Sequence, residues 1–208
     1  ANGKAAGLDV ELLDAIARDQ NFRYELRPSD WDTAMSVFTS HQAQVLMGSI
    51  ASSQERIDGG WFFSHSFYNG VTQSMAMEPS SDTNTLEDLA GKAVAVVSGT
   101  LGAAYAESVK DKYGFSIATF SDSHSMYAAV LKGRAAACFE DTPALRDSIA
   151  GGVALELVPG SEGAASDYCV AICDEKNRPF LELFNQGLAN IRANGIYDAI
   201  LAKYADNL

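Results

Sequence analysis

Long apolar runs are missing from this chain of 208 residues: none approaches the ~18 consecutive apolar residues of a membrane-spanning helix, so it offers no candidate for one. Positive charge is also scarce. Fifteen Lys and Arg stand against 27 Asp and Glu, a formal net charge of −12, and that sign repels phosphate backbones and anionic lipid surfaces. Nucleic acid is thereby excluded as an expected partner. Histidine is limited to His41, His65 and His124, in unrelated segments with no HExxH and no metal-spaced pair. There is no GxSxG elbow, and "SGTLG" after an expected strand lacks both GxGxxG and GK[ST]. No metal, nucleotide or other cofactor is expected.

Cysteine is sparse and odd in number: Cys138, Cys169 and Cys173, too few for a disulfide framework. In "YCVAIC" the last two stand four apart on an expected strand, roughly 13 Å at ~3.3 Å per residue, beyond the ~7 Å a disulfide tolerates. They read as small buried hydrophobes, with a bridge from Cys138 to one of them left open. The opening "ANGKAAGLDV" has neither a basic n-region nor an apolar h-region, so any signal peptide is expected to have been removed.

What is present is an ordinary globular composition, 47% hydrophobic and 20% charged, in a length suited to one large domain or two lobes. Leu8, Leu12, Leu13, Ile16 and Ala17 recur at helical spacing; "NFRYELRP" alternates as a half-buried strand; "DWDTAMSVFTSH" resumes a helix; "AQVLMGSI" reads as a strand covered on both faces. "GVTQSMAM" is a further strand. "EPSSDTNT" then has the composition of a linker, placing a boundary near residue 78. Beyond it, strands "KAVAVVS", "SIATF" and "AAACFE" alternate with helices "GTLGAAYAESVKDKYG", "SHSMYAAVLKGR" and "TPALRDSIAG", the last with Thr142 as expected N-cap and Pro143 at N1. This alternation predicts α/β architecture with a parallel sheet. After strands near "VALELV" and "YCVAIC", two terminal helices split at Asn194-Gly195 have no strand between them and are expected to pack back on the first lobe.

Four features carry chemistry. Arg56 follows the small-residue loop "MGSIASSQER" behind an expected strand, where ligands of open α/β sheets sit, and its guanidinium can fork onto a carboxylate; an ion pair with Asp58 or Glu55 is the alternative. Glu140 and Asp141 end the strand "AAACF", as ammonium partners or as an N-cap neighbourhood. Thr100 and Leu101 open a helix whose first N–H groups suit an anion; a plain helix start is the alternative. Trp31 is a core residue or a stacking wall.

Taken together, "GLDVELLDAIA", "DWDTAMSVF", "VLMGSIASSQERIDGGWFFSHSFY", "LEDLAGKAVAVVSGT", "AAACFEDTPAL" and "LANIRANGIYDAILAKY" resemble the polar amino-acid-binding proteins of ABC importers, of the glutamine and lysine/arginine/histidine receptor type, in order over nearly the whole chain. The resemblance implies the two-lobe periplasmic-binding-protein type II fold, each lobe a sheet flanked by helices. It places lobe 1 at residues 1–74 plus 176–208 and lobe 2 at 78–173, with crossings near 75–77 and 174–175. It further implies a non-enzymatic receptor, periplasmic or extracellular and membrane-associated, that closes on a free amino acid and delivers it to an ABC importer permease. By the same resemblance Arg56 forks onto the ligand α-carboxylate, Asp141 grips the α-ammonium, and Trp31 covers the ligand side chain. Ser49 matches a ligand-contacting serine, Ser53 joins the set, and N–H groups around Thr100 and Leu101 complete the carboxylate site.

Two departures stand out. Ala51 occupies a position that carries a hydroxyl in the family. The family's first strand, ahead of "NGKAAGLDV", has no counterpart, so an unpaired sheet position inviting strand exchange or a homodimer is expected. Two other functions fit the resemblance: a ligand-sensing domain of a larger receptor or permease-fused protein, and a cyclohexadienyl-dehydratase-like enzyme with Glu140 as its acid.

Overall fold

A computed structural model of the protein describes residues 5–204. In chain order the elements are α1 (Leu8–Asp19), α2 (Trp31–Thr39), α3 (Gln54–Asp58), β1 (Phe62–Phe63), β2 (Tyr68–Met77), β3 (Ala93–Val97), α4 (Leu101–Tyr113), β4 (Ser116–Phe120) and α5 (Ser123–Leu131). They continue as β5 (Ala137–Asp141), α6 (Thr142–Ala150), β6 (Glu156–Leu157), β7 (Gly163–Tyr168), β8 (Ala171–Ile172), α7 (Arg178–Ala193) and α8 (Ile196–Ala202). The chain divides into two compact units, residues 5–69 with 167–204 and residues 70–166.

In the first unit, α1 buries Leu12, Leu13, Ile16 and Ala17, and α7 buries Leu181, Phe184, Leu188 and Ile191. These stripes, spaced three and four residues apart, pack α1 on α7 and α8. Gly187 permits the approach, since a Cβ there would lie 2.8 Å from Ile16 Cγ2. The terminal helices thus join the N-terminal part of the chain, as their lack of a strand to cover predicts. A second cluster gathers Phe38, Leu46, Ile50 and Ala171, with Trp31, Met35, Trp61 and Phe63 against it.

Two strand expectations fail in this unit. Residues 22–28 form no strand. A strand exists only as part of a ladder, and no described residue pairs with this segment. Its apolar alternation is used otherwise: Phe22 meets Phe180 edge-on at 5.6 Å, the Tyr24 hydroxyl donates to Asp14, and the segment flanks a groove lined by Val10, Asp14, Arg18, Tyr24 and Leu26. In "AQVLMGSI" only Leu46 pairs, as a single antiparallel bridge to Ala171, because Gly48 (φ 111°) and Ser49 (φ 53°) take the backbone out of the extended region. The regular sheet here is β1 against β8, Phe62 opposite Ile172.

The second unit holds a sheet ordered β4-β3-β5-β2-β6, with β7 also on β2. It is mixed, not purely parallel as expected: β3 runs parallel to β4 and β5, whereas β2 is antiparallel to β5 and β6. The helical crossovers that enforce parallel pairing begin only after β3, so β2 is not bound by them. Met75, Val94, Val96, Phe139 and Ala106 build the core beneath α4. The division of units falls at 69/70 and 166/167, each several residues ahead of the crossings near 75–77 and 174–175 that the resemblance implied. "EPSSDTNT" lies inside the second unit, where Asp88 accepts from the amides of Asn84 and Thr85. Asp141, not Thr142, is the cap residue of α6, and buried Thr142 spends its hydroxyl on Ser74 and the Thr72 carbonyl. All three cysteines are free thiols, and burial pushes that of Cys138 well up. No helix among the described residues is long and apolar enough to cross a membrane.

Candidate ligand-binding site

In the first unit the loop after Leu46 is pinned from behind: Cys169 N–H donates to the Ile50 carbonyl at 2.7 Å, and Ala51 bridges Tyr168. Ser53 then caps α3, its hydroxyl accepting from the Arg56 amide at 3.3 Å. The Arg56 side chain folds back, donating from Nη1 to the Ala51 carbonyl at 2.7 Å, with its guanidinium 5.4 Å from the centre of the Trp61 ring. Trp61 is held edge-on by Phe38 at 4.8 Å. Arg56, Ala51 and Ser53 are therefore one construction, and Trp61 is a fourth member that sequence reading passed over. The Trp after Gly59-Gly60 was its only signal.

Desolvation pulls the Arg56 pKa down, with Glu55 opposing, yet arginine stays charged. A half-buried guanidinium braced by a backbone carbonyl and an aromatic face has the forked geometry that suits an anion. Trp31, at the start of α2 behind its cap Asp30, packs beside Trp61 on the cluster of Phe38, Leu46 and Ile50, so part of its ring is core. Ser49 is half-buried in the left-handed backbone region. Ala51 is buried, its methyl group part of the core.

In the second unit, side chains alternate across β5. Asp141 shares the α4 face with Phe139, while Glu140 and Cys138 point the other way. Gln73 on β2 stands directly opposite Asp141, and its Nε2 donates to Asp141 Oδ1 at 2.5 Å. Thr100 caps α4: its hydroxyl accepts from Ala103 N–H at 3.2 Å and donates to the Val97 carbonyl at 2.7 Å. The amides of Leu101 and Gly102 have no acceptor within the helix, at the end where its dipole favours an anion. Thr100 and Leu101 thus offer backbone, not side-chain, donors.

Glu140 is differently occupied. Ser123 donates to its Oε1 at 2.6 Å and Tyr127 to its Oε2; burial raises its pKa while those bonds lower it. A carboxyl turned from Asp141 and held by two hydroxyls is a packing element, and the dehydratase reading loses its acid.

A polar, backbone-braced cation site in one unit and a buried carboxylate in the other suit recognition of a small charged solute. The whole-chain comparison decides the class: residues 1–207 match the family model of bacterial extracellular solute-binding proteins, family 3. The chain belongs to that family. Among its relatives, the L-cystine-binding protein TcyJ of Escherichia coli (strain K12) is 24% identical over 98% of this chain and 75% of its own length. Among solved structures, an ancestral arginine-binding protein bound to arginine superposes with a TM-score of 0.84 at 25% identity, covering 98% of this chain and 89% of the other. Substrate binding domain 2 of GlnP from Lactococcus lactis gives 0.64 at 29% identity, with 98% and 88% covered. As a family 3 solute-binding protein it is a receptor of type II periplasmic-binding-protein fold, and it is not an enzyme.

Proposed function

We propose that this solute-binding protein takes a free polar L-α-amino acid and delivers it to an ABC importer permease outside the cytoplasm, held near the membrane by an anchor or a signal-led export route. Arg56 receives the α-carboxylate together with the Leu101 amide, Asp141 receives the α-ammonium, and Trp31 covers the side chain, with Ser49 and Ser53 on the polar rim. The supporting observation is the matched pair of charges. One unit carries a guanidinium braced by Ala51 and Trp61, the other a buried carboxylate oriented by Gln73, and a zwitterion needs both. A ligand that satisfies both stabilises the closed form, as in hinge-closing receptors. The relatives' cystine and arginine ligands fit the same backbone chemistry.

A thermal-shift panel of the common L-amino acids plus L-cystine, followed by calorimetry on those that stabilise, tests the reading; α-keto acids and amines run alongside should give no shift. Stabilisation by none of the amino acids would sink it. A homodimer by strand exchange is a further proposal, for which residues 22–28, without a ladder partner among the described residues, are the candidate pairing segment. A second copy pairing there predicts a concentration-dependent dimer by light scattering, dispersed by Tyr24→Pro; a monomer at every concentration would exclude it.

A further inference from the structure

The Asp9 carboxyl is buried without a partner. It lies in the first turn of α1 and is almost wholly enclosed by protein, although the residue keeps some exposure. Among the described residues no hydrogen bond and no other charge acts on it, and desolvation alone moves its pKa, up to about 6. At pH 7 it is therefore mostly ionised. A helix dipole favours an acid in a first turn, but an exposed one serves as well. Burial is what needs a reason, because an enclosed carboxylate with no cation is costly. Nor does a lone carboxylate make a metal site, and no group of three or more ligating side chains occurs among the described residues.

The side chain faces the loop that carries Arg56. Beyond its own chain neighbours, a Cβ built on Gly48 would find Asp9 Oδ2 at 3.9 Å and no other described atom within 4 Å, so the carboxylate edges the space in front of Gly48. Gly48 and Ser49 hold φ of 111° and 53°, a region that a serine enters at a cost and that clusters at ligand clamps. From there the chain runs to Ala51, whose carbonyl holds the Arg56 guanidinium. Leu46 and Ile50, on either side of Gly48, join the cluster against which Trp31 packs. Neither charge perturbs the other. Carboxylate and guanidinium thus stand apart at the two ends of one loop, both within the first unit, as a ligand with an anion at one end and a cation at the other requires.

We infer that Asp9 is a specificity-determining residue of the binding site, receiving the cationic end of a basic amino acid's side chain while Arg56 takes the α-carboxylate. The inference rests on the amino-acid reading above and narrows its ligand class. A ligand guanidinium or terminal ammonium supplies the charge-assisted bonds that Asp9 lacks. Gly48 leaves the room for it, since a Cβ there would stand against the carboxylate. A neutral side chain of the same shape leaves the carboxylate enclosed and unmatched, and that penalty is the discrimination.

Calorimetry compares L-arginine and L-lysine with their neutral isosteres L-citrulline and L-norleucine, on the wild-type protein and on Asp9→Asn, which keeps the shape and removes the charge. The wild type is expected to bind at least one cationic ligand about 100-fold tighter than its isostere, the scale of a buried charge pair. Asp9→Asn should erase that preference by weakening the cationic ligand, with the isosteres unchanged and the fold intact by circular dichroism. An undiminished preference in Asp9→Asn, or a wild type that binds neither arginine nor lysine, would overturn the inference. Wild-type binding of neutral amino acids alone sinks it while leaving the general amino-acid reading in place. Agmatine and cadaverine, which lack the carboxylate, run as a further arm. If they bind as tightly as arginine and lysine and Asp9→Asn abolishes this, the role of Asp9 stands and the amino-acid reading falls. Asp9→Ser repeats the measurements should the asparagine variant not fold.

Discussion

The carbonyl of Ala51 accepts a hydrogen bond from Arg56 Nη1 at 2.7 Å, so a residue without a side-chain hydroxyl still shapes the anion site, through its backbone. The guanidinium is thereby fixed before any ligand arrives. Arg56→Ala is expected to weaken amino-acid binding by roughly 100-fold, since a forked carboxylate contact supplies two charge-assisted bonds. Arg56→Lys should recover part of that loss while remaining about tenfold weaker. Calorimetry at constant ionic strength reads both. Unchanged affinity in Arg56→Ala would remove this residue from the site.

Restoring a hydroxyl at position 51 tests whether its side chain can reach the ligand. Ala51→Ser should tighten binding about fivefold, the worth of one added hydrogen bond near 1 kcal/mol. Ala51 is 3% exposed, so equal affinity accompanied by lower stability would show the hydroxyl buried against the core instead.

Trp61 braces Arg56 in addition to the backbone contact, its ring centre 5.4 Å from the guanidinium. Trp61→Leu keeps an apolar filler against Phe38 but removes the ring face, and a cation-ring contact of about 0.5–1 kcal/mol translates into roughly threefold weaker binding. Urea unfolding separates this from a general loss of fold, because its midpoint should move far less than after truncation to Ala.

Gly102→Ala forces a Cβ to within 2.6 Å of the Phe139 carbonyl oxygen. Either α4 shifts or β5 does, at about 1–3 kcal/mol, lowering Tm by roughly 3–10 °C. Differential scanning calorimetry measures the shift. No change in Tm would mean that the first turn of α4 yields easily.

Asp9, in the first turn of α1, has its pKa raised from 3.8 to about 6 by desolvation. The folded state then holds this proton where the unfolded chain has released it, so its contribution to stability is full below about pH 4 and is lost as pH rises through about 6. Asp9→Asn removes that slope. Between pH 4 and pH 7 the wild-type protein should lose about 1–2 kcal/mol relative to the variant in urea titrations, and parallel curves would place Asp9 in contact with water.

Much of this was legible in advance. The spacing of Leu12, Leu13 and Ile16 and of Leu181, Phe184 and Leu188 announces buried helix faces, because a period of 3.6 leaves one stripe for the core. Arg56 and Asp141 were singled out for the same kind of reason, as a charge behind an apolar stretch and a carboxylate ending an apolar strand. Trp61 and Gln73 were not. Each acts through a neighbour far along the chain or across a ladder, Gln73 meeting a residue 68 positions away, and nothing local marks such a pairing.

The sequence alone determined the amphipathic helices and the α/β alternation of the second unit, the acidic balance, the absence of nucleophile and metal motifs, and the two charges suited to a zwitterion, because each is set by residue type and short-range period. Tertiary structure decided what those residues could do. Residues 22–28 alternate like a strand yet form none, since strandedness belongs to a pair and not to a segment. Glu140 and Asp141 are chemically near-identical neighbours, but the pleat sends one to Ser123 and Tyr127 and the other to Gln73, and which face of β5 carries each is fixed only when β2 and α4 take their places.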